Sequence, residues 1–555
     1  MRPVGVQATG GATVHPPPPS AWFTRRRHRA IIDSVKPLDV TGENLTLPAF
    51  YEVVLGGRPV RLAPRAKRRM AAAYDVVRRA AAGDDPIYGV TTGFGKLADQ
   101  RIPHADIGQL QLNLLRSHAA GVGEPLSREE TRGILLLRAH VLARGHSGVR
   151  PLVVDRLLTL LNRNILPVIP SRGSVGASGD LAPLAHLALL LIGEGEACVD
   201  GRRKTGRAAL AQAGLKPLRL EAKEGLSLVN GTQAMLALGL LALRRAEVLV
   251  DAADVAGALS LEALQGTPVA FDQRIHRLRP YPGQLSVAAN LRALTAGSQI
   301  RASHMTCPRI QDAYSLRCMP QVHGAVRDAL DYVRTALRIE MNSVTDNPLV
   351  FPEQGEILSG GNFHGQPLGL VLDHLAIAMT ELASISERRI ERLINPEYGD
   401  LPPFLSPHPG LNSGFMMAQV TAAALASENK VFSHPASVDS IPTSGNREDH
   451  VSMGMGSALK LAQILSNGEH ILAIELLCAA QGVDFHRPLR AGTGSRLALK
   501  LVRQRVPGLG QDRVLAPDIE QIRTLVAGGA LTAILAASRL TASRRPGVTK
   551  RRSPS

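Results

Sequence analysis

A chain of 555 residues is long enough to bury a large core and allows more than one domain. Hydrophobic residues make up 45% of it but aromatics only 3%, so Leu, Ala, Val and Ile must pack the core, which favours helix on helix over an aromatic-rich β-sandwich. The formal charge of +17 invites a polyanion partner, yet ten of those charges fall in residues 1–32 and 541–555, which hold no acid, and the body shows no zinc-finger or RNP pattern, so no specific nucleic-acid partner is expected.

Residues 1–35 read as a basic, Pro-rich disordered tail: four prolines follow His15, and 25–29 is a run of Arg and His. Helical periodicity then dominates. Ser127 is placed to cap a helix over 128–144, with Glu129 and Glu130 in its first turn. Further helices are expected over 151–161, 181–192, 234–264, 326–343, 369–393, 414–432 and 456–478. Runs of this length predict a mainly α chain that ends in a bundle of long helices. Residues 541–555 form a second basic, disordered tail.

No apolar run reaches the ~18–20 residues of a membrane span, and the start lacks the apolar core of a secretory signal. The four cysteines, Cys198, Cys307, Cys318 and Cys478, match no metal-ligand spacing and no disulfide framework. A reducing, cytoplasmic location without a bound metal is the expectation.

The segment from Gly173 to Leu184 carries the most chemistry. It sets Ala177-Ser178-Gly179 between a glycine-rich turn and an apolar helix. Gly179 lacks a Cβ, so its amide nitrogen can approach a neighbouring carbonyl closely. Attack on the Ala177 carbonyl would close a five-membered ring. Losing that oxygen as water, and the Ser178 hydroxyl as a second water, would leave an exocyclic methylidene, a strong electrophile. The same residues also suit a plain turn or an anion site at a helix N-terminus. The segment lacks the second spacer of a G-x-S-x-G elbow and the Lys-Ser/Thr pair of a P-loop.

Written as GSVGASGDLAPLAH, this segment resembles the aromatic amino acid ammonia-lyase family, in which the tripeptide becomes the prosthetic group 4-methylidene-imidazol-5-one (MIO). Six further segments resemble that family's motifs, in its order. YGVTTGFG, with Thr91 where Asn is usual, implies Tyr88 as the base that takes the substrate β-proton. A free tyrosine is a poor base at neutral pH, so that role requires cationic or hydrogen-bonding neighbours. SHAAG implies that His118 contacts the substrate side chain, and LVNGTQ implies that Asn230 helps hold substrate and ring. QDAYSLRCMPQ implies Arg317 for the α-carboxylate, Tyr314 beside the prosthetic group and Gln311 in the pocket; an arginine fork suits a bidentate carboxylate grip. Here Ala313 replaces a Pro and Met319 a Gln. GNFHG implies that Phe363 packs against the electrophile. TSGNREDHV is similar to the histidine branch of the family and implies that Glu448 faces an imidazole. A carboxylate set beside a plain aromatic ring would be desolvated and unpaired. Arg447, where Gln is usual, offers Glu448 a competing ion-pair partner.

The resemblance spans 36–540. It implies an N-terminal domain over 36–255 bearing the MIO loop, then a helical bundle over 256–540 of long, nearly parallel helices. It also implies a homotetramer whose sites draw residues from three subunits. The activity implied is deamination of histidine to urocanate, with no metal or dissociable cofactor. A related lyase or 2,3-aminomutase acting on tyrosine or phenylalanine, and an inactive paralogue with a binding role, are the alternatives.

Overall fold

The computed structural model describes residues 36–304 and 310–543. The tail expected over 1–35, Cys307, and residues 544–555 lie outside the described residues. Residues 541–543, expected in the second tail, instead end the helix Ala530–Ser543, whose Leu531, Ile534, Leu535 and Ser538 bury one face.

Helices account for most of the described chain, and sheet is confined to three short strand pairs and one three-stranded sheet. Leu38–Val40 runs parallel to Val60–Leu62, and Val122–Pro125 runs antiparallel to Pro170–Arg172. Glu196–Val199 lies antiparallel between Ile165–Pro167 and Arg202–Thr205, with Leu166 opposite Cys198. Leu349–Phe351 pairs with Glu356–Leu358.

The helix expected after Ser127 forms as Arg128–Ala143. The Glu130 N–H donates to the Ser127 hydroxyl at 3.3 Å, and the Ser127 N–H donates to the Glu130 carboxylate at 2.7 Å. This reciprocal box satisfies two N–H groups that the helix itself cannot.

Gln233–Ala263 is 31 residues long and buried on nearly every side, as an Ala/Leu-rich helix must be when it is apolar all round. It packs against Met319–Glu340, Gln366–Ile394 and Gly454–Asp484, and Met416–Phe432 covers the last two. The division expected at 255/256 falls inside this helix, which crosses it unbroken. Gln366–Ile394 is long and apolar enough to cross a membrane by length and composition; here 61% of that window is buried inside the protein, as in a core helix.

Two clusters of buried charge in the bundle are paired, as charge away from water requires. Arg389 and Glu475 are both fully buried and bonded at 2.8 Å, and the Ser260 hydroxyl donates to the same carboxylate at 2.7 Å. Burial pushes the Asp254 carboxyl up, but Arg327, His323 and Asn290 around it outweigh that and hold it down at about 2.

Candidate active site

Gly173-to-Asp180 leaves the strand Pro170–Arg172 and enters the helix Leu181–Leu191. Three other segments hold this loop. The Asp180 N–H donates to the Gly231 carbonyl at 2.7 Å, and the Gly231 N–H to the Ser178 carbonyl at 3.3 Å. The Met453 N–H donates to the Val175 carbonyl at 2.8 Å, and the Ser452 hydroxyl to the Gly176 carbonyl at 3.0 Å. The Gly365 N–H also reaches the Gly176 carbonyl, at 3.3 Å. Asp180 is fully buried behind the loop, bonded to the Ser174 hydroxyl at 2.9 Å and the Met235 N–H at 2.8 Å. Burial raises its carboxyl to about 6 against those bonds.

Gly179 is required at its position. Its φ is +72°, and a Cβ there would stand 2.1 Å from the Gly231 carbonyl oxygen. Among the described residues, neither the Gly179 N–H nor the Ala177 carbonyl takes part in a hydrogen bond. The two atoms a ring closure would join are therefore uncommitted, within a loop otherwise pinned at both ends. The residues present fit the MIO group.

Ala177 and Ser178 line a cavity of about 490 Å³. Tyr88, His118, Asn230, Phe363 and Glu448 line it too, so five of the expected positions meet the tripeptide there. The Ser178 hydroxyl donates to Glu448 Oε1 at 3.1 Å. The Thr443 hydroxyl donates to Glu448 Oε2 at 2.6 Å, and a Thr443–Glu448 backbone bridge closes the loop between them. Both carboxylate oxygens thus hold hydroxyl donors. Arg447 also lines the cavity but is exposed, and among the described residues no ion pair joins it to Glu448.

Burial pushes the His118 imidazole below its ordinary value, against a backbone bond to Leu114 and the Glu448 charge. The Gly95 N–H donates to the Tyr88 phenol oxygen at 3.2 Å. The Phe94 ring meets Tyr88 edge-on at 6.4 Å. Thr91 pins the start of this loop, donating to the Asp85 carbonyl at 2.7 Å and accepting from the Ile87 N–H at 2.8 Å. At Gly95, φ is +54° and a Cβ would stand 2.5 Å from the Ser444 hydroxyl, so the Tyr88 loop and the 443–450 loop touch.

Gln311, Tyr314 and Arg317 do not line this cavity. Tyr314 is 71% exposed, with the Arg317 guanidinium 4.6 Å over its ring. Their segment is tied to Thr267, whose N–H donates to Asp312 at 2.6 Å, just past the C-terminal end of Gln233–Ala263. Asn230 sits just before the other end. A 31-residue helix spans roughly 45 Å at ~1.5 Å per residue, which places the two groups too far apart to share one site within one chain. Met319 is fully buried against Gly257, so its departure from the family pattern concerns bundle packing and not this cavity.

The cavity also uses residues to which the sequence assigned no role. Thr443 holds Glu448, and Leu114, Leu181, Leu226 and Val229 supply apolar wall. The rings of His364 and His450 stack at 5.9 Å, and a His364 ring nitrogen lies 3.0 Å from the His450 carbonyl oxygen. His364 lies inside GNFHG, Thr443 and His450 inside TSGNREDHV, Val229 inside LVNGTQ and Leu181 inside GSVGASGDLAPLAH, whereas Leu114 and Leu226 have no motif to mark them. Among the described residues no group of His, Cys, Asp and Glu is arranged to hold a metal ion.

A mainly helical chain, with a constrained Ala-Ser-Gly turn facing a tyrosine across a half-apolar cavity, defines a class of lyases that work on amino acids. The aromatic amino acid lyase family model matches residues 45–504. Histidine ammonia-lyase from Koribacter versatilis (strain Ellin345) is 57% identical over 512 residues, covering 90% of this chain and 99% of the relative. The crystal structure of histidine ammonia-lyase from Trypanosoma cruzi is 43% identical with a TM-score of 0.84, over 93% of this chain and 100% of that one. Tyrosine aminomutase from Streptomyces globisporus is 40% identical with a TM-score of 0.85, over 91% and 99%. The chain belongs to the aromatic amino acid lyase family.

Proposed function

We propose that this chain deaminates L-histidine to trans-urocanate and ammonia, in the cytoplasm. The observation that carries the proposal is the Ser178–Glu448 contact at 3.1 Å, which joins the electrophile-forming turn to an anionic group suited to imidazole. The relatives named histidine ammonia-lyases, at 57% and 43% identity, support the same substrate.

Ala177, Ser178 and Gly179 form the prosthetic ring. The Gly179 nitrogen bonds to the Ala177 carbonyl carbon, whose oxygen leaves as water with the Gly179 and Ser178 amide protons, leaving a double bond from that carbon to the Ser178 nitrogen; Ser178 loses its α-proton and hydroxyl as a second water. The MIO ring so formed supplies an electrophilic methylidene carbon, a function no standard side chain offers. Tyr88 takes the β-proton of the substrate. Glu448 and His118 grip the imidazole, and Phe363 packs beside the ring. Asn230 holds the substrate from the cavity wall.

Arg317 grips the α-carboxylate in a neighbouring copy's cavity, with Tyr314 beside the prosthetic ring there and Gln311 in the pocket; the roughly 45 Å length of the intervening helix supports this sharing. A homotetramer with shared sites accounts for the exposed apolar side chains Leu370 and Ile377 on one bundle helix and Met417, Val420 and Val431 on the next.

The test is turnover of histidine, tyrosine and phenylalanine side by side, with the mass of the Ser178 peptide measured on the same sample. Histidine should be preferred, and the peptide should lack two waters. Preference for tyrosine overturns the substrate; an unmodified peptide in active protein overturns the mechanism.

A further inference from the structure

Asn230 is 3% exposed on the cavity wall, at the end of the short helix Glu224–Val229. Its amide nitrogen faces two groups that can only accept: the Asn347 carbonyl at 2.8 Å and the Asp346 carboxylate at 3.4 Å. That fixes the sense of the amide. Its oxygen is left buried and without a partner among the described residues. A buried acceptor without a donor is uncommon, and this one belongs to a cavity-lining side chain.

A wholly buried ion pair stands behind it. The Lys223 ammonium donates to the second Asp346 oxygen at 3.1 Å and to the Ser227 hydroxyl at 2.8 Å. The Asn347 N–H donates to the first Asp346 oxygen at 2.7 Å. Arg138, also fully buried, holds the backbone of the same residue, donating to the Asn230 carbonyl at 2.9 Å. Lys223 adopts φ +67°, a left-handed backbone that a residue with a Cβ seldom takes. A dry ion pair is weak evidence for stability, and a strained residue at its centre makes a purely stabilising role weaker still.

We propose that Lys223 and Asp346 are positioning residues: they lock the Asn230 amide with its nitrogen turned inward and so present its oxygen as the acceptor for the substrate α-ammonium. This rests on the deamination proposed above and extends it to a pair that touches no substrate atom. The ammonium is the substrate group with donors to spare. The carboxylate has none, and Glu448 and His118 face the imidazole. Removing the Asp346 charge weakens one of the two acceptors that hold the Asn230 nitrogen inward and loosens the Asn347 N–H bond that fixes the other, so the amide can turn its nitrogen toward the cavity, where it would meet a cation.

The test measures binding by calorimetry on full-length protein carrying Tyr88→Phe, which slows turnover. The probes are L-histidine and 3-(imidazol-4-yl)propanoate, which keeps ring and carboxylate but lacks the ammonium. Adding Asp346→Asn should weaken L-histidine by about tenfold or more, the loss of one charge-assisted bond, and leave the propanoate within about twofold. Lys223→Met with Asp346→Asn removes both charges and strands neither, so it keeps the test decisive if Asp346→Asn alone fails to fold. It should give the same split. Equal weakening of both probes, or no weakening of L-histidine, overturns the positioning role. So does loss of the two-water mass deficit at Ser178, because the pair would then act in forming the ring. A parent protein that does not bind L-histidine at all overturns the substrate reading, and this proposal with it.

Discussion

Glu448 offers one oxygen to Ser178 and the other to Thr443, and the second bond fixes which way the carboxylate faces. Glu448→Gln keeps the shape and removes the charge. If Glu448 reads imidazole, kcat/KM for histidine should fall roughly 10- to 100-fold, the scale of one charge-assisted hydrogen bond. Any side activity on tyrosine or phenylalanine should fall far less. Steady-state kinetics on the three amino acids decides it, and an equal loss on all three would remove Glu448 from side-chain recognition. Tyr88 is argued differently, because its phenol oxygen carries the proposed chemistry while its ring only packs against Phe94. Tyr88→Phe should leave the melting temperature almost unchanged and lower kcat by at least ~10²-fold, the lower end of general-base contributions. A rate near that of the parent would take Tyr88 out of the mechanism.

The loop from Gly173 to Asp180 works as an element because backbone bonds to Gly231, Gly365 and the 452–453 turn hold it. Gly179→Ala tests that clamp. The left-handed φ costs an L residue about 1–2 kcal/mol, and the added Cβ overlaps the Gly231 carbonyl as well. The variant should keep its far-UV helicity, and its Ser178 peptide should retain both waters. A full two-water deficit would show that the approach to Gly231 is dispensable. The sequence announces the tripeptide and its glycine but not the clamp, because the partners lie some fifty to nearly three hundred residues away. Local signals read well for the same reason: the Ser127–Glu130 box is complete within four residues. Helix ends read less well. Met319–Glu340 begins before the 326 expected for it, because Pro320 sits at a first-turn position where its missing N–H costs nothing. Gly454–Asp484 runs past 478 because Ala479, Ala480 and Val483 stay buried in the bundle. Chain order carries no distances, so Arg317 and Asn230 stand in one motif series yet at opposite ends of a 31-residue helix. The Lys223–Asp346 pair had no motif to mark it.

Across the whole molecule, burial has charged consequences that acid exposes. His140 is 3% exposed in the helix Arg128–Ala143, with a ring nitrogen 3.3 Å from Asn342 Oδ1, and burial pushes its imidazole from 6.5 down to about 4. Its folded-state value lies below the unfolded one, so between those values the unfolded chain binds the extra proton. Stability from this group is therefore full above about 6.5 and is lost as pH falls toward 4, at up to ~1.4 kcal/mol per pH unit and about 3 kcal/mol in all. Asp180, raised to about 6 by burial, acts in the opposite sense between its ordinary 3.8 and that value, because there the folded state holds the extra proton. Asp254, held at about 2, is lost only below pH 4. The slope of the parent protein alone is thus a mixture, and the informative quantity is the difference made by one substitution. His140→Gln removes the titration while keeping a side chain able to donate to Asn342. Denaturant unfolding at pH 7, 5.5 and 4 should show the variant less stable than the parent at pH 7. The gap should narrow, by about 3 kcal/mol in order of magnitude, on reaching pH 4. A gap that stays constant across that range would mean that His140 does not stay neutral in the folded protein.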